Sequence, residues 1–368
     1  MLCYHAAFVQ RIGTLLLVLG LLAVAAGWVL SSDGGHAAAG GLVVLGLALL
    51  AVRFQLHPKL RILSFAFWVF TMTCWALYYP THFISWGSFQ LATLITPLIQ
   101  LIMLGMGATL SVADFSRALR MPRAVLAGMV LQFSVMPLLG WGIAASLEFP
   151  DEVAAGIVLI GSCSGGVASN VMAFLARGNV ALSVTMTACS TMAAPLMTPL
   201  AMRLLAGRYI EIDFLDMMWA IVELIILPVG LGLVCNRLLA ARKGILDRVL
   251  PTISMAGICF ILAIIAAASR DELLASGAAL VAAALVHNVA GYVFGYSAAG
   301  LCRLSETDRR TVAFEVGMQN GGMAVGLATN VLKSSAAALA PGIFGTLMNV
   351  TGSALASWWR GKTPVPDP

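Results

Sequence analysis

Runs of apolar residues long enough to cross a bilayer recur about every 30 residues along this chain, and Lys and Arg fall in the gaps between them. Lipid offers the backbone no hydrogen-bond partners, so a chain built this way must bond its peptide groups internally, and long unbroken apolar runs do so as helices. The spacing predicts helices at about 12–30, 36–54, 62–79, 90–110, 124–147, 153–175, 179–202, 214–235, 249–269, 275–300, 311–331 and 337–359. Composition agrees. The 368 residues are 60 % hydrophobic and 10 % charged, whereas soluble domains carry about 25 % charged residues. Soluble enzymes, nucleic-acid binders and disordered chains are thereby excluded.

The net charge of +5 could suggest a nucleic-acid partner, but its distribution reads as topology. With a cytoplasmic N-terminus, 17 of the 21 basic residues lie on the inner side, and only Arg203, Arg208, Arg270 and Lys333 lie outside. Basic residues concentrate in cytoplasmic loops, so the bias places both termini in the cytoplasm. The first run, Ile12 to Leu30, is long for a secretory h-region and is followed at once by a second, across Ser31-Ser32-Asp33-Gly34-Gly35. It therefore reads as half of a retained hairpin. The seven cysteines form no close pair and sit mostly inside spans, as small apolar packing residues.

Two acidic residues lie well inside the spans, Glu223 and Glu315. An ionisable group at membrane depth is expensive and marks a candidate functional site. Glu223 stands a third of the way into its helix, where headgroups or a neighbour could serve it. Glu315 lies in Glu315-Val316-Gly317-Met318-Gln319-Asn320-Gly321-Gly322, where three glycines weaken the helix and release carbonyls that need a partner. The segment Gly161-Ser162-Cys163-Ser164-Gly165-Gly166-Val167-Ala168-Ser169-Asn170 has the same character in the middle of another span. Close helix packing through small residues is the competing explanation for either segment alone. The pair points to a transporter binding site, because Gly-interrupted spans in corresponding positions mark such sites.

The positions do correspond. Without the first hairpin ten helices remain, and the interrupted ones are the fourth of each five. A five-helix unit crosses an odd number of times, so its second copy enters upside down, as an inverted repeat. The expected organisation is an additional hairpin at 1–59, a first repeat at 60–207, a second at 208–360 and a cytoplasmic tail at 361–368. Ser183 and Thr187 share a helix face by i, i+4 spacing, and Glu315 and Gln319 do likewise. Hydroxyls on membrane helices also bond back to their own carbonyls, which is the simpler reading of the first pair. Gln132, in an apolar stretch ahead of Pro137, is an amide that must find a partner if buried. Neutral oxygens and one carboxylate suit a hard cation better than zinc or iron.

These segments resemble the bile acid:sodium symporter family. The resemblance rests on Gly165-Gly166-Val167-Ala168-Ser169-Asn170, on Ala176-Arg177-Gly178-Asn179-Val180-Ala181-Leu182-Ser183 and on Glu315-Val316-Gly317-Met318-Gln319-Asn320. Leu104-Gly105-Met106-Gly107, Asp114-Phe115 and His287-Asn288 with Gly291-Tyr292 add to it, and it runs from about residue 60 to 360. It implies an all-α polytopic membrane protein with panel and core domains and two crossing discontinuous helices. It also implies sodium-coupled uptake of a small organic anion, bile-acid-like or carboxylate, by alternating access. Two sodium ions are implied. One would be held by Ser169, Asn170, Ser183, Thr187 and Glu315, the other by Gln132, Glu315, Gln319 and the carbonyls of Val316 and Met318. Asn320 and Asn349 are the implied substrate contacts, beside Val167 and Met348. Bacterial relatives commonly carry Thr for Val167, Pro for Ser164, Ser for Gly321 and His for Met348, so the substrate pocket departs from the pattern more than the cation sites do.

Three rivals are open to the same residues. Glu315 could carry a proton in a proton-coupled carrier. The scaffold could also serve as a non-transporting receptor. Gly161-Ser162-Cys163-Ser164-Gly165 with His287 has the outline of a hydrolase, but a nucleophile elbow needs a strand-to-helix turn on a soluble sheet. His287 fits a packing role better, bonded to a neighbouring carbonyl.

Overall fold

The computed structural model of the protein describes residues 2–32, 36–57, 64–118, 120–238 and 243–362. The turn at Asp33-Gly34-Gly35, the expected boundary at 59–60, Lys59, Arg61 and Arg242, and the end of the tail from 363 lie outside the described residues. The chain is all-α and polytopic. Among the described residues six helices are long and apolar enough to cross a membrane, by length and composition, and four shorter apolar helices and two interrupted ones fall on the other expected segments.

Two compact units divide the chain. The first comprises Met1–Leu94 with Met255–Arg270, the second Ile95–Ser254 with Asp271–Pro368. In the first unit, α1 (Leu2–Ser32) and α2 (His36–Leu56) form the expected hairpin, with α1 beginning ten residues before its apolar run. Glycines let the two backbones approach: a Cβ on Gly46 would stand 2.6 Å from the Gly20 carbonyl oxygen. α3 (Ser64–Tyr78) lies against α2, where Gly40 leaves room for the ring of Tyr78. After α4 (Thr81–Ile84) comes a small antiparallel pair, β1 (Ser85–Trp86) and β2 (Phe89–Gln90), turned at Gly87 with φ +63°. A positive φ there costs glycine nothing.

The second unit holds α5 (Ile95–Gly107), α6 (Val112–Ala118), α7 (Pro122–Ser146), the interrupted pair α8 (Asp151–Ser162) and α9 (Ala168–Leu175), α10 (Val180–Leu205) and α11 (Phe214–Leu238). α12 (Lys243–Ala268) passes from this unit into the first. The second unit then continues with α13 (Arg270–Leu301), the interrupted pair α14 (Glu306–Gly317) and α15 (Gly321–Asn330), and α16 (Ser335–Arg360). α5 and α11 meet backbone to backbone, because a Cβ on Gly107 would lie 2.0 Å from the Val229 oxygen and one on Gly232 2.1 Å from the Leu104 oxygen.

α7 runs through Pro137 to Ser146, with a π-turn at Leu131–Val135 ahead of the proline; α11 has a matching π-turn at Val222–Ile226 ahead of Pro228. Proline lacks an N–H and crowds the carbonyl four residues back, and widening the preceding turn relieves that clash. Gln132 and Glu223 both sit in these widened turns.

Side chains cap the interrupted and neighbouring helices. The Asn320 side chain accepts from Met323 N, Ser305 from Asp308 N, Asn179 from Leu182 N and Ser334 from Ala337 N. α14 extends five residues beyond its apolar run because Ser305 and Asp308 form such a start. Arg310, buried near that start, bonds Glu306 at 2.9 Å and donates to the carbonyls of Ala176 at 3.0 Å, Trp359 at 3.2 Å and Lys362 at 3.2 Å. One cation thus serves the C-terminal ends of α9 and α16, where carbonyls lack intrahelical donors.

Candidate cation site at the paired helix breaks

The two interrupted helices meet at their breaks. Gly165 and Gln319 form an antiparallel bridge; Gly166 N donates to the Met318 oxygen and Asn320 N to the Ser164 oxygen, each at 2.8 Å. Backbone released by the glycines of one break is therefore satisfied by the other, as a bilayer interior requires. Space is as tight as the pairing, since a Cβ on Gly166 would stand 2.6 Å from the Gln319 oxygen.

Glu315 ends the α14 turn just before this stitch and is buried. Its Oε1 accepts from the hydroxyls of Ser169 and Ser183, and its Oε2 accepts from Thr187 at 2.8 Å. Asn170 Oδ1 lies 3.5 Å from the same Thr187 hydroxyl. Ser183 and Thr187 therefore turn toward the carboxylate, while Thr185 between them bonds back to the Ala181 carbonyl at 2.7 Å, as hydroxyls on membrane helices commonly do.

The second group gathers around Gln132 and Gln319. Gln132 donates through Nε2 to the Cys163 carbonyl at 2.6 Å and to Gln319 Oε1, and Gln319 donates to the Val316 carbonyl at 2.7 Å. The Met318 carbonyl takes the Gly166 N–H, and each of these carbonyls keeps a second lone pair. Every side chain expected at either cation site thus falls at the breaks or in direct contact with them.

The expected substrate contacts divide. Asn320 caps α15, and its amide nitrogen is buried with no hydrogen-bond partner among the described residues. Val167 is half-buried at the start of α9 and Met348 is buried. Asn349 donates to the Gly345 carbonyl of its own helix at 2.6 Å. Glu223 is exposed in its π-turn and makes no bond to this cluster. His287 contacts the Met136 carbonyl at 3.2 Å, which is the packing role expected of it.

Sequence reasoning passed over Ser190, which accepts from Gly165 N at 3.2 Å and donates to the Thr187 carbonyl at 3.1 Å. Its place three residues after Thr187, on the same face, was the available signal. Asn288, noted only as part of a motif, donates to the Gly317 carbonyl at 2.6 Å and so satisfies the end of α14.

The donor set is hard and neutral around a single carboxylate. Among the described residues no three His, Cys, Asp or Glu side chains gather as they would around a transition metal. Spanning helices with two of them interrupted around a shared buried carboxylate define a polytopic membrane transport protein. Comparison with known proteins narrows that class. Residues 96–276 match the Sodium Bile acid symporter family. The chain is 35 % identical over 299 residues to the uncharacterized sodium-dependent transporter YocS of Bacillus subtilis (strain 168), covering 81 % of this chain and 91 % of that protein. It is 36 % identical to the probable sodium/metabolite cotransporter BASS1, chloroplastic, of Arabidopsis thaliana (72 % of this chain, 66 % of that one). It is also 31 % identical to the probable cotransporter BASS2, chloroplastic, of Oryza sativa subsp. japonica, over 85 % and 74 % of the two chains. The chain belongs to the sodium bile acid symporter family.

Proposed function

We propose that the chain is a sodium-coupled symporter that carries a small organic anion by alternating access. The observation that supports this most is the position of Glu315: one buried carboxylate collects hydroxyls from Ser169, Ser183 and Thr187, two residues before the end of the helix whose break carries Gln319, the partner of Gln132. In this reading Ser169, Asn170, Ser183, Thr187 and Glu315 hold one sodium ion. Gln132, Gln319, Glu315 and the carbonyls of Val316 and Met318 hold the second.

Charge explains the coupling. Two monovalent cations around one carboxylate leave a net positive charge at the breaks, where the N-termini of α9 and α15 already favour an anion. An anionic substrate there needs no Lys or Arg, and Asn320, with Val167 and Met348 beside it, is its assigned contact; Asn349 joins it only by releasing Gly345. The same reading makes 60–207 and 208–360 inverted repeats, with both termini on the cytoplasmic side of a bacterial inner membrane. The names of the relatives in the family agree with sodium coupling.

The test is the melting temperature of the purified protein in detergent, titrated with NaCl and with KCl at matched ionic strength. A ligand that binds only the folded state adds about 2.7 kcal/mol of stability at 100 times its Kd. A saturable rise specific to sodium is expected. Equal responses to the two salts with a strong dependence on pH would replace sodium by a proton on Glu315.

A further inference from the structure

A groove of about 500 Å³ lies at the C-terminal end of α10, and Trp141, Arg203, Leu204, Arg208 and Glu211 line it. Arg208 stacks on the Tyr209 ring at 4.4 Å, stands 5.7 Å from the Trp141 ring and donates to the Tyr209 hydroxyl. Among the described residues neither arginine forms an ion pair. In the topology expected from the sequence the outer segments hold four basic residues, and Arg203 and Arg208 of this groove are two of them.

Apolar stripes lead away from the groove along both helices. On α10, Leu196, Leu200 and Leu204 follow one another at i, i+4 spacing and are all exposed, Leu204 at 72 %. On α7, Leu138 and Trp141 are exposed one turn apart. An aromatic ring and arginines at the end of a span, above exposed leucines, match the arrangement of a membrane interface, with polar headgroups at one level and acyl chains below.

We propose that this groove binds an aminophospholipid, that is, a phosphodiester bearing a primary ammonium. Arg203 and Arg208 take the phosphate, since guanidinium forks match its oxygens. Glu211 takes the ammonium, and the acyl chains lie along the leucine stripes. The carboxylate is what separates this ligand from a simple anion, because two arginines alone would favour an anionic headgroup without the amine. The assignment does not depend on which cation drives transport.

The experiment places the full chain in nanodiscs of phosphatidylcholine alone, or with phosphatidylethanolamine or phosphatidylglycerol, and reads the melting temperature; native mass spectrometry of the detergent-purified protein reads retained lipid. Phosphatidylethanolamine is expected to raise the midpoint by about 3 °C over phosphatidylcholine and to copurify. Arg203→Gln with Arg208→Gln should remove both effects. Glu211→Gln should leave the response to phosphatidylglycerol and remove the preference for phosphatidylethanolamine. A lipid effect that survives the double arginine change overturns the site. Inorganic phosphate giving the same rise in detergent would make it a site for a free anion and overturn the lipid assignment. Phosphatidylglycerol outperforming phosphatidylethanolamine in the unaltered protein would overturn the role of Glu211.

Discussion

Gly165 and Gln319 face each other as an antiparallel backbone bridge between two interrupted helices, and the side chain of Gln319 leaves that bridge to accept from Gln132. Backbone pairing and side-chain contact at one residue tie the shape of the breaks to the groups that line them. Glu315 stands one turn before the bridge and takes hydroxyls from α9 and α10. In the proposed mechanism a change at any of these positions is expected to register both as stability and as cation response.

Glu315→Ala removes the acceptor shared by three hydroxyls and, in the proposed mechanism, the negative charge common to both cations. The sodium-specific rise in melting temperature is expected to vanish, measured against KCl at equal ionic strength. An unchanged sodium response would overturn both site assignments.

Gln132→Ala leaves the Cys163 carbonyl and Gln319 Oε1 without their donor. Each stranded buried acceptor costs about 1–3 kcal/mol. The sodium response should persist but move to higher concentration, because the hydroxyl cage on Glu315 is untouched. Complete loss of the response would show that the groups act as one site.

Gly166→Ala places a Cβ 2.6 Å from the Gln319 backbone oxygen, which cannot rotate away. Overpacking of this kind costs about 1–3 kcal/mol, visible as a lower midpoint in detergent. The sodium shift should fall with it, since the displaced carbonyl belongs to the break. A variant with an unaltered midpoint and sodium shift would mean that the stitch yields without consequence.

Arg310→Met strips the carbonyls of Ala176, Trp359 and Lys362 of a charged donor and leaves Glu306 without its buried partner. A loss of about 2–3 kcal/mol is expected from thermal melting. The sodium-specific shift should remain, because Arg310 touches none of the hydroxyls on Glu315. Loss of that shift would give Arg310 a part in cation binding.

The spans and both breaks were legible because hydrophobic length and glycine content are local properties. Glu315, Ser183 and Thr187 were legible as polar groups on helix faces. That the two hydroxyls turn to Glu315 while Thr185 turns to its own backbone was not, since spacing gives a face and only packing gives a partner. Likewise Gln132 and Gln319 were each visible as costly amides, but their meeting depends on how α7 lies against the breaks. The π-turns escaped because one extra residue in a turn barely alters an apolar pattern; Pro137 and Pro228 were the only trace. Arg310 read as one more loop charge, because its helix begins five residues before its apolar run does.

The stitch between the breaks also restricts how the family's chains can change in length. Pairing by backbone bonds has a register, and shifting an extended segment by one residue turns each side chain to the opposite face. One residue gained or lost between Ser162 and Ala168 would misalign Gly165 with Gln319 unless the segment from Gly317 to Gly321 changed with it. Insertions should therefore collect in the loops between helices, while these two short segments keep a common frame.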